Sequence, residues 1–120
     1  MSVEFLESGK LATSIPFPDK FKLLTARMSP DEFNTAVDKL NSMIDGEKIL
    51  TSSWMPGNNW SGTSFDPIWR KAAKMDFDLS GKLFGLLVFY VFMQRPEIWV
   101  TGRFEKDGVP IGGRTYFRKP

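Results

Sequence analysis

The residues of this chain that could do chemistry gather in two stretches. The first is the loop Ser53-Trp54-Met55-Pro56-Gly57-Asn58-Asn59-Trp60-Ser61-Gly62-Thr63, which sets two tryptophans six apart among amides and hydroxyls. Indole faces stack on sugars and aromatic rings while amides and hydroxyls bond to polar groups. Trp54, Asn58, Asn59, Trp60 and Thr63 therefore form a candidate site for a small polar or aromatic ligand, or for a protein partner. The plain alternative is that both indoles are lids on the core, since a loop built on Pro-Gly and Ser-Gly needs anchoring.

The second stretch lies near the C-terminus, where Trp99, Arg103, Arg114, Tyr116 and Arg118 mix aromatic rings with guanidinium groups. Such a face suits phosphate, and it is the one place where single-stranded nucleic acid could stack. Charge argues against that partner. Sixteen basic and fourteen acidic residues leave only +2 at neutral pH, far from a cationic footprint. Arg103 and Arg114 are better placed to supply charge to the first site, if the hairpin borders it.

Catalysis has few reagents here. The chain contains no cysteine and no histidine, which removes thiolate nucleophiles, disulfides, Cys/His zinc sites and imidazole acid/base steps. A small enzyme would have to displace the pKa of a carboxylate or a tyrosine. Asp66, Glu97, Glu105 and Tyr90 are the candidates, with Arg103 as electrophilic partner. Simpler roles exist for each: Asp66 as a helix cap, the two glutamates as solvated strand residues, Tyr90 as a core tyrosine. Gly102 and Gly112-Gly113 form no phosphate loop, because no strand-to-helix turn follows them. Neither a cofactor nor a metal is expected.

These residues must be held by a scaffold organised around Leu83 to Met93, eleven uncharged residues of which only Gly85 is small. As a helix the run spans about 16 Å, roughly half a bilayer's hydrocarbon thickness, so no membrane span is expected. The run belongs in a protein core. Gly85 costs a helix about 1 kcal/mol relative to Ala, which points to another backbone approaching closely there.

Around that run the chain reads in order. Residues 1–19 form an irregular arm, with Ile15 and Phe17 placed to dock. Phe21-Lys22-Leu23-Leu24-Thr25 reads as a short strand. Ser29-Pro30-Asp31-Glu32 is a capping box that opens a helix; Phe33, Ala36, Val37, Leu40, Met43 and Ile44 keep its apolar face, and Gly46 stops it. Lys48 to Ser52 has strand character, Asp66-Pro67 starts a second helix, and Asp78 or Ser80 caps the central one.

Pro96 ends that helix, and a hairpin follows. Ile98–Lys106 and Val109–Arg118 flank Asp107-Gly108, a two-residue turn signal. In that register Trp99 opposes Tyr116 and Gly102 opposes Gly113. Ile98, Val100, Phe104, Val109, Ile111 and Phe117 fall on one face, the natural core side, and the Trp/Arg/Tyr set falls on the other.

At 120 residues this predicts one domain. The fold class expected is α+β: a mainly antiparallel sheet ending in a C-terminal β-hairpin, with about three helices packed on one face. A helix apolar all round and an aromatic hairpin face exceed what a chain of this size hides easily, so a homodimer is expected. The N-terminal Met1-Ser2-Val3-Glu4-Phe5-Leu6-Glu7 is acidic where a signal peptide is basic, which predicts a cytoplasmic protein. The function expected is non-catalytic binding, with carboxylate catalysis as the alternative.

Overall fold

Proline fixes the first turn of two helices. The computed structural model describes residues 2–6, 8–12, 14–15, 17–51, 62–102, 105–106, 109–110 and 114–119. Pro18 opens α1 (Pro18–Arg27) and Pro30 opens α2 (Pro30–Ile44), where a proline's φ fits and its missing N–H has no helical partner to lose. The strand expected over Phe21–Thr25 is thus part of a helix. Phe21, Leu24 and Met28 recur at helical spacing and turn inward, with Leu24 and Met28 buried, and that period outweighs the β preference of Phe and Thr.

The capping box of α2 is complete: Glu32 N donates to Ser29 Oγ at 3.1 Å and Ser29 N donates to Glu32 Oε1 at 2.9 Å. Its inner face buries Ala36, Leu40 and Ile44, and Gly46 follows the helix at φ 81°. The segment after Asp66-Pro67 is shorter than a regular helix. It makes one π-helical turn, Ile68–Ala72, with Ala73 N donating to Ile68 O at 2.9 Å. Lys74 and Met75 then both adopt left-handed φ, 51° and 66°, at a cost of about 1–2 kcal/mol each for residues other than glycine. Arg27 Nη1 holds the turn by donating to Ala72 O at 2.8 Å.

The central helix α3 (Phe77–Gln94) starts earlier than expected. Asp76, rather than Asp78 or Ser80, caps it by accepting from Leu79 N at 3.1 Å, and the Ser80 hydroxyl donates to Asp76 O at 2.8 Å. Within α3, Leu83, Phe84, Leu86, Leu87, Val88, Phe89, Val91 and Phe92 are all buried.

Four strands form one mixed sheet in the order β1-β3-β6-β2, namely β1 (Ser2–Phe5), β2 (Ile49–Thr51), β3 (Ile98–Gly102) and β6 (Thr115–Arg118). The sheet is not purely antiparallel, because β1 from the supposedly irregular arm pairs parallel to β3, Val3 beside Trp99 and Phe5 beside Thr101. The hairpin is present with a corrected register. Its tip, β4 (Glu105–Lys106) against β5 (Val109–Pro110), keeps the pairing of a two-residue turn. Four positions separate β5 from β6 in the sequence and two separate β3 from β4, and β6 is displaced by two positions: Trp99 pairs with Arg118, Thr101 with Tyr116, and Gly102 with Thr115. An even displacement leaves each side chain on its own face.

The faces themselves are inverted relative to expectation. Trp99, Thr101 and Tyr116 are buried, whereas Ile98 is 38% and Ile49 56% exposed. The reason lies in α3. Phe92 stacks on Tyr116 with ring centroids 4.0 Å apart and meets Trp99 at 4.7 Å, while Phe89 meets Tyr116 at 6.4 Å. Burying Trp and Tyr removes more apolar area than burying Ile and Val, so the face with the larger rings wins the core.

On its other side α3 meets the remaining helices: Tyr90 lies 5.2 Å from Phe21 and 5.6 Å from Phe33. Cover on two sides thus comes from one chain. The two reasons for expecting a second copy, an all-round apolar helix and exposed hairpin aromatics, are both met internally. Arg95 closes the end of α3 by donating to Asn41 Oδ1, Asp45 Oδ1 and Glu97 Oε1 at 2.8, 2.8 and 2.9 Å, tying α2 to the start of β3. No described helix is long and apolar enough to cross a membrane.

Gly85 has no close neighbour: a Cβ built there meets nothing within 4 Å, so the close backbone approach inferred from its presence is absent. Gly85→Ala should therefore stabilise the protein by about 0.5–1 kcal/mol through helix propensity. Phe92→Ala, which removes the ring touching both Trp99 and Tyr116, should cost about 3–5 kcal/mol. Urea unfolding of the two variants should show opposite shifts in midpoint; a loss of stability in Gly85→Ala would contradict the open surroundings of that residue.

Candidate functional site

Five of the seven residues proposed as ligand contacts, Trp54, Asn58, Asn59, Trp60 and Arg103, lie outside the described residues. Thr63 and Arg114 lie within them. Thr63 belongs to the turn leading into the π-helical segment: its hydroxyl accepts from Phe65 N at 3.2 Å and its carbonyl accepts from Asp66 N at 3.1 Å. Arg114 stands elsewhere, beside the N-terminal arm.

That arm is more ordered than its composition predicts. After β1 the chain turns back on itself, with Gly9 N donating to Phe5 O at 2.8 Å and Phe5 N donating to Lys10 O at 2.9 Å. Gly9 takes φ 68° there, a conformation costly for any side chain. Leu11 then bridges Glu4, and Ala12 N donates to Val3 O at 2.7 Å. Ile15 packs on the core, but Phe17 is 69% exposed, so only one of the two expected anchors docks.

Between this returning arm and the start of β6 lies an open cleft of about 580 Å³. Phe5, Leu11 and Ala12 supply its apolar surface, and Ser8, Ser14, Lys10 and Arg114 supply its polar one. Arg114 is set by two rings. Its guanidinium carbon lies 5.7 Å from the Phe5 centroid and 5.9 Å from that of Phe89, and the rings themselves are 6.1 Å apart. Cation–π attraction to two faces holds the charge over the apolar wall. Among the described residues, no carboxylate lines this cleft.

Two of the three carboxylates named for acid/base work, Asp66 and Glu97, are engaged elsewhere. Arg70 bonds Asp66 through Nε at 3.1 Å and Nη2 at 3.3 Å, and Gly62 N donates to the same carboxylate at 3.3 Å. The Arg70 bond, above all, holds Asp66 below its ordinary pKa. Burial pushes Glu97 up, but its own backbone N–H, the Arg95 guanidinium and the charge of Arg118 together outweigh burial and leave it lowered. Both groups stay ionised, the opposite of what a general acid at neutral pH needs. The Glu105 side chain lies outside the described residues. Tyr90 is held between Phe21 and Phe33 as a core ring.

The hairpin face proposed for nucleic acid is also not a stacking platform, because Trp99 and Tyr116 are fully buried. Among the described residues no cluster of three potential metal ligands occurs.

Of the residues that line this cleft, the sequence analysis singles out Arg114 and not Ser8, Lys10, Leu11 or Ser14. One signal was present: Gly9 between Ser8 and Lys10 marks a turn, though not what that turn returns to.

An NMR titration of side-chain carboxyl carbons should place the midpoints of Asp66 and Glu97 below the ordinary Asp and Glu values, with the Asp66 midpoint rising in Arg70→Gln. Because the folded-state value of Glu97 is depressed, its contribution to stability is present above the ordinary carboxylate pKa and is lost as pH falls through the lowered one. A midpoint above the ordinary value at either residue would restore the case for carboxylate catalysis.

Comparison with protein-family models, with curated proteins and with solved structures finds no match for this chain.

Proposed function

We propose that this protein binds a small polar or aromatic organic ligand without transforming it, and that the ligand lies in the cleft between the returning N-terminal arm and Arg114. The observation that carries this reading is the composition of the cleft: a wall of Phe5, Leu11 and Ala12 faces hydroxyl and cationic groups within about 580 Å³. Pockets for small organic ligands fall in this range and combine an apolar lining with a few convergent polar groups. The lining supplies contact area, and the polar groups supply orientation. Binding rather than turnover is favoured because Asp66 and Glu97 are both held below their ordinary pKa, Asp66 chiefly by Arg70 and Glu97 by its own backbone N–H together with Arg95 and Arg118, and because no carboxylate lines the cleft among the described residues.

The Trp54–Thr63 loop retains its place in this reading as a second contributor to ligand contact. Its indoles and amides carry the same chemistry as before, as a proposal separate from the cleft.

Screening a library of small organic compounds by amide NMR is the direct test. Saturable shift changes centred on Phe5–Ser14 and Arg114–Tyr116 are expected, and Ser14→Trp, a bulky residue at an exposed position on the rim, should abolish them while leaving the rest of the spectrum in place. Ligands that shift only residues distant from this region would sink the assignment.

A further inference from the structure

One edge of the sheet is covered and the other is open. At the β1 edge the returning arm takes up the outward backbone groups: Ala12 N donates to Val3 O at 2.7 Å, Phe5 N donates to Lys10 O at 2.9 Å, and Leu11 bridges Glu4. The opposite edge is β2. We infer that β2 accepts an added strand from a partner protein, an extended segment that alternates acidic and β-branched side chains. This surface is separate from the cleft and does not depend on it.

The phase of the β2–β6 ladder fixes which backbone groups are on offer. Arg118 N donates to Lys48 O at 2.8 Å, and Ile49 pairs with Phe117, so Lys48 and Leu50 hold the hydrogen-bonded positions of this antiparallel pair. Ile49 and Thr51 alternate with them. Their N–H and C=O groups therefore point away from β6, and among the described residues nothing meets those of Ile49. Its side chain is 56% exposed at the same edge. Donors and acceptors repeating at every second residue match an extended backbone, which presents its own at that interval. A helix cannot pair with them, because its N–H and C=O groups are spent internally.

The side chains decide what the added strand carries. Ile49 lies in one row with Phe117 and Val100 on the outer face, where a β-branched neighbour extends the apolar row. The other face ends in two cations. Lys48 and Arg118 oppose each other there, both exposed, and like charges directly across a strand pair repel. Arg118 lies within electrostatic reach of Glu97, but Lys48 makes no ion pair among the described residues. An acidic residue beside Lys48 supplies its counter-charge. A second copy of this chain fits the edge less well, since pairing β2 with itself adds two more cations to a face that already holds two.

The test uses an end-blocked peptide of sequence Thr-Val-Glu-Val-Glu-Val-Thr, the same peptide with lysine in place of glutamate, and a version of the first methylated at its backbone nitrogens. In amide NMR the glutamate peptide should shift Ile49 and Thr51 saturably. Hydrogen exchange at these two amides should slow, while Leu50, already bonded to β6, should stay as it was. The lysine peptide should bind at least about three-fold more weakly, and the methylated peptide should not bind. Lys48→Glu, a change at an exposed position that should leave the fold intact, should remove the preference for glutamate over lysine.

Equal affinity for the glutamate and lysine peptides would overturn the acidic character of the partner. Shifts confined to residues away from Lys48–Thr51, no shifts at all, or equally tight binding of the methylated peptide would overturn strand addition. Protection of the Ile49 amide that grows with protein concentration in the absence of peptide would assign the edge to a second copy and overturn the proposal as well.

Discussion

The structure depends on a stack of aromatic rings through the middle of the molecule. Phe92 lies flat on Tyr116 at 4.0 Å and against Trp99 at 4.7 Å; two residues earlier, Tyr90 sits between Phe21 and Phe33 on the opposite side of the same helix. Each buried ring contributes about 1.5–3 kcal/mol from area alone, with a further 0.5–1.5 kcal/mol for well-placed pairs. Set against a total stability of only about 5–15 kcal/mol, these few contacts decide which way the sheet faces. They also explain how a helix apolar all round is accommodated. The sheet covers one side, and α1, α2 and the π-helical turn cover the other.

The cleft follows from the same packing. Phe5 must lie on the inner face of β1 because Val3, two residues earlier, is buried beside Trp99, and its ring reaches Phe89 of α3. Arg114 stands two residues before the buried Tyr116 and over the same pair of rings. The arm returns because Gly9 permits a left-handed turn, bringing Lys10 and Leu11 back beside β1. A charged group over an apolar wall is thus a consequence of core packing.

How much of this was legible in the sequence depends on whether each feature is local or long-range. The capping box at Ser29, the apolar face from Phe33 to Ile44, the strand at Ile49–Thr51 and the pairing at the hairpin tip all follow from neighbouring residues, and the structure contains each of them. Features set by distant partners were not legible. The parallel pairing of β1 with β3 joins residues nearly a hundred positions apart. The two extra residues between β5 and β6 shift a register that the turn alone cannot specify. Both hairpin faces carry apolar side chains, so alternation separated them without saying which turns inward; the rings of α3 made that choice. α1 was misread because Phe, Leu and Thr suit strands as well as helices over five residues, and Pro18 as a helix start was the deciding signal. The lining of the cleft was half legible for the same reason: Arg114 stood out by its chemistry, but its neighbours Ser8, Lys10 and Ser14 are ordinary until the arm is folded back.

The central claim is that α3 is buried on both sides by its own chain. Native-state hydrogen exchange of the Leu83–Met93 amides tests it most directly, measured at several protein concentrations. These amides should exchange only through global unfolding, as slowly as the sheet amides of Val100 and Tyr116, with rates independent of concentration. Exchange of α3 by a lower-energy local opening, or protection that grows with protein concentration, would show that the helix lacks full cover within one chain and would contradict the account.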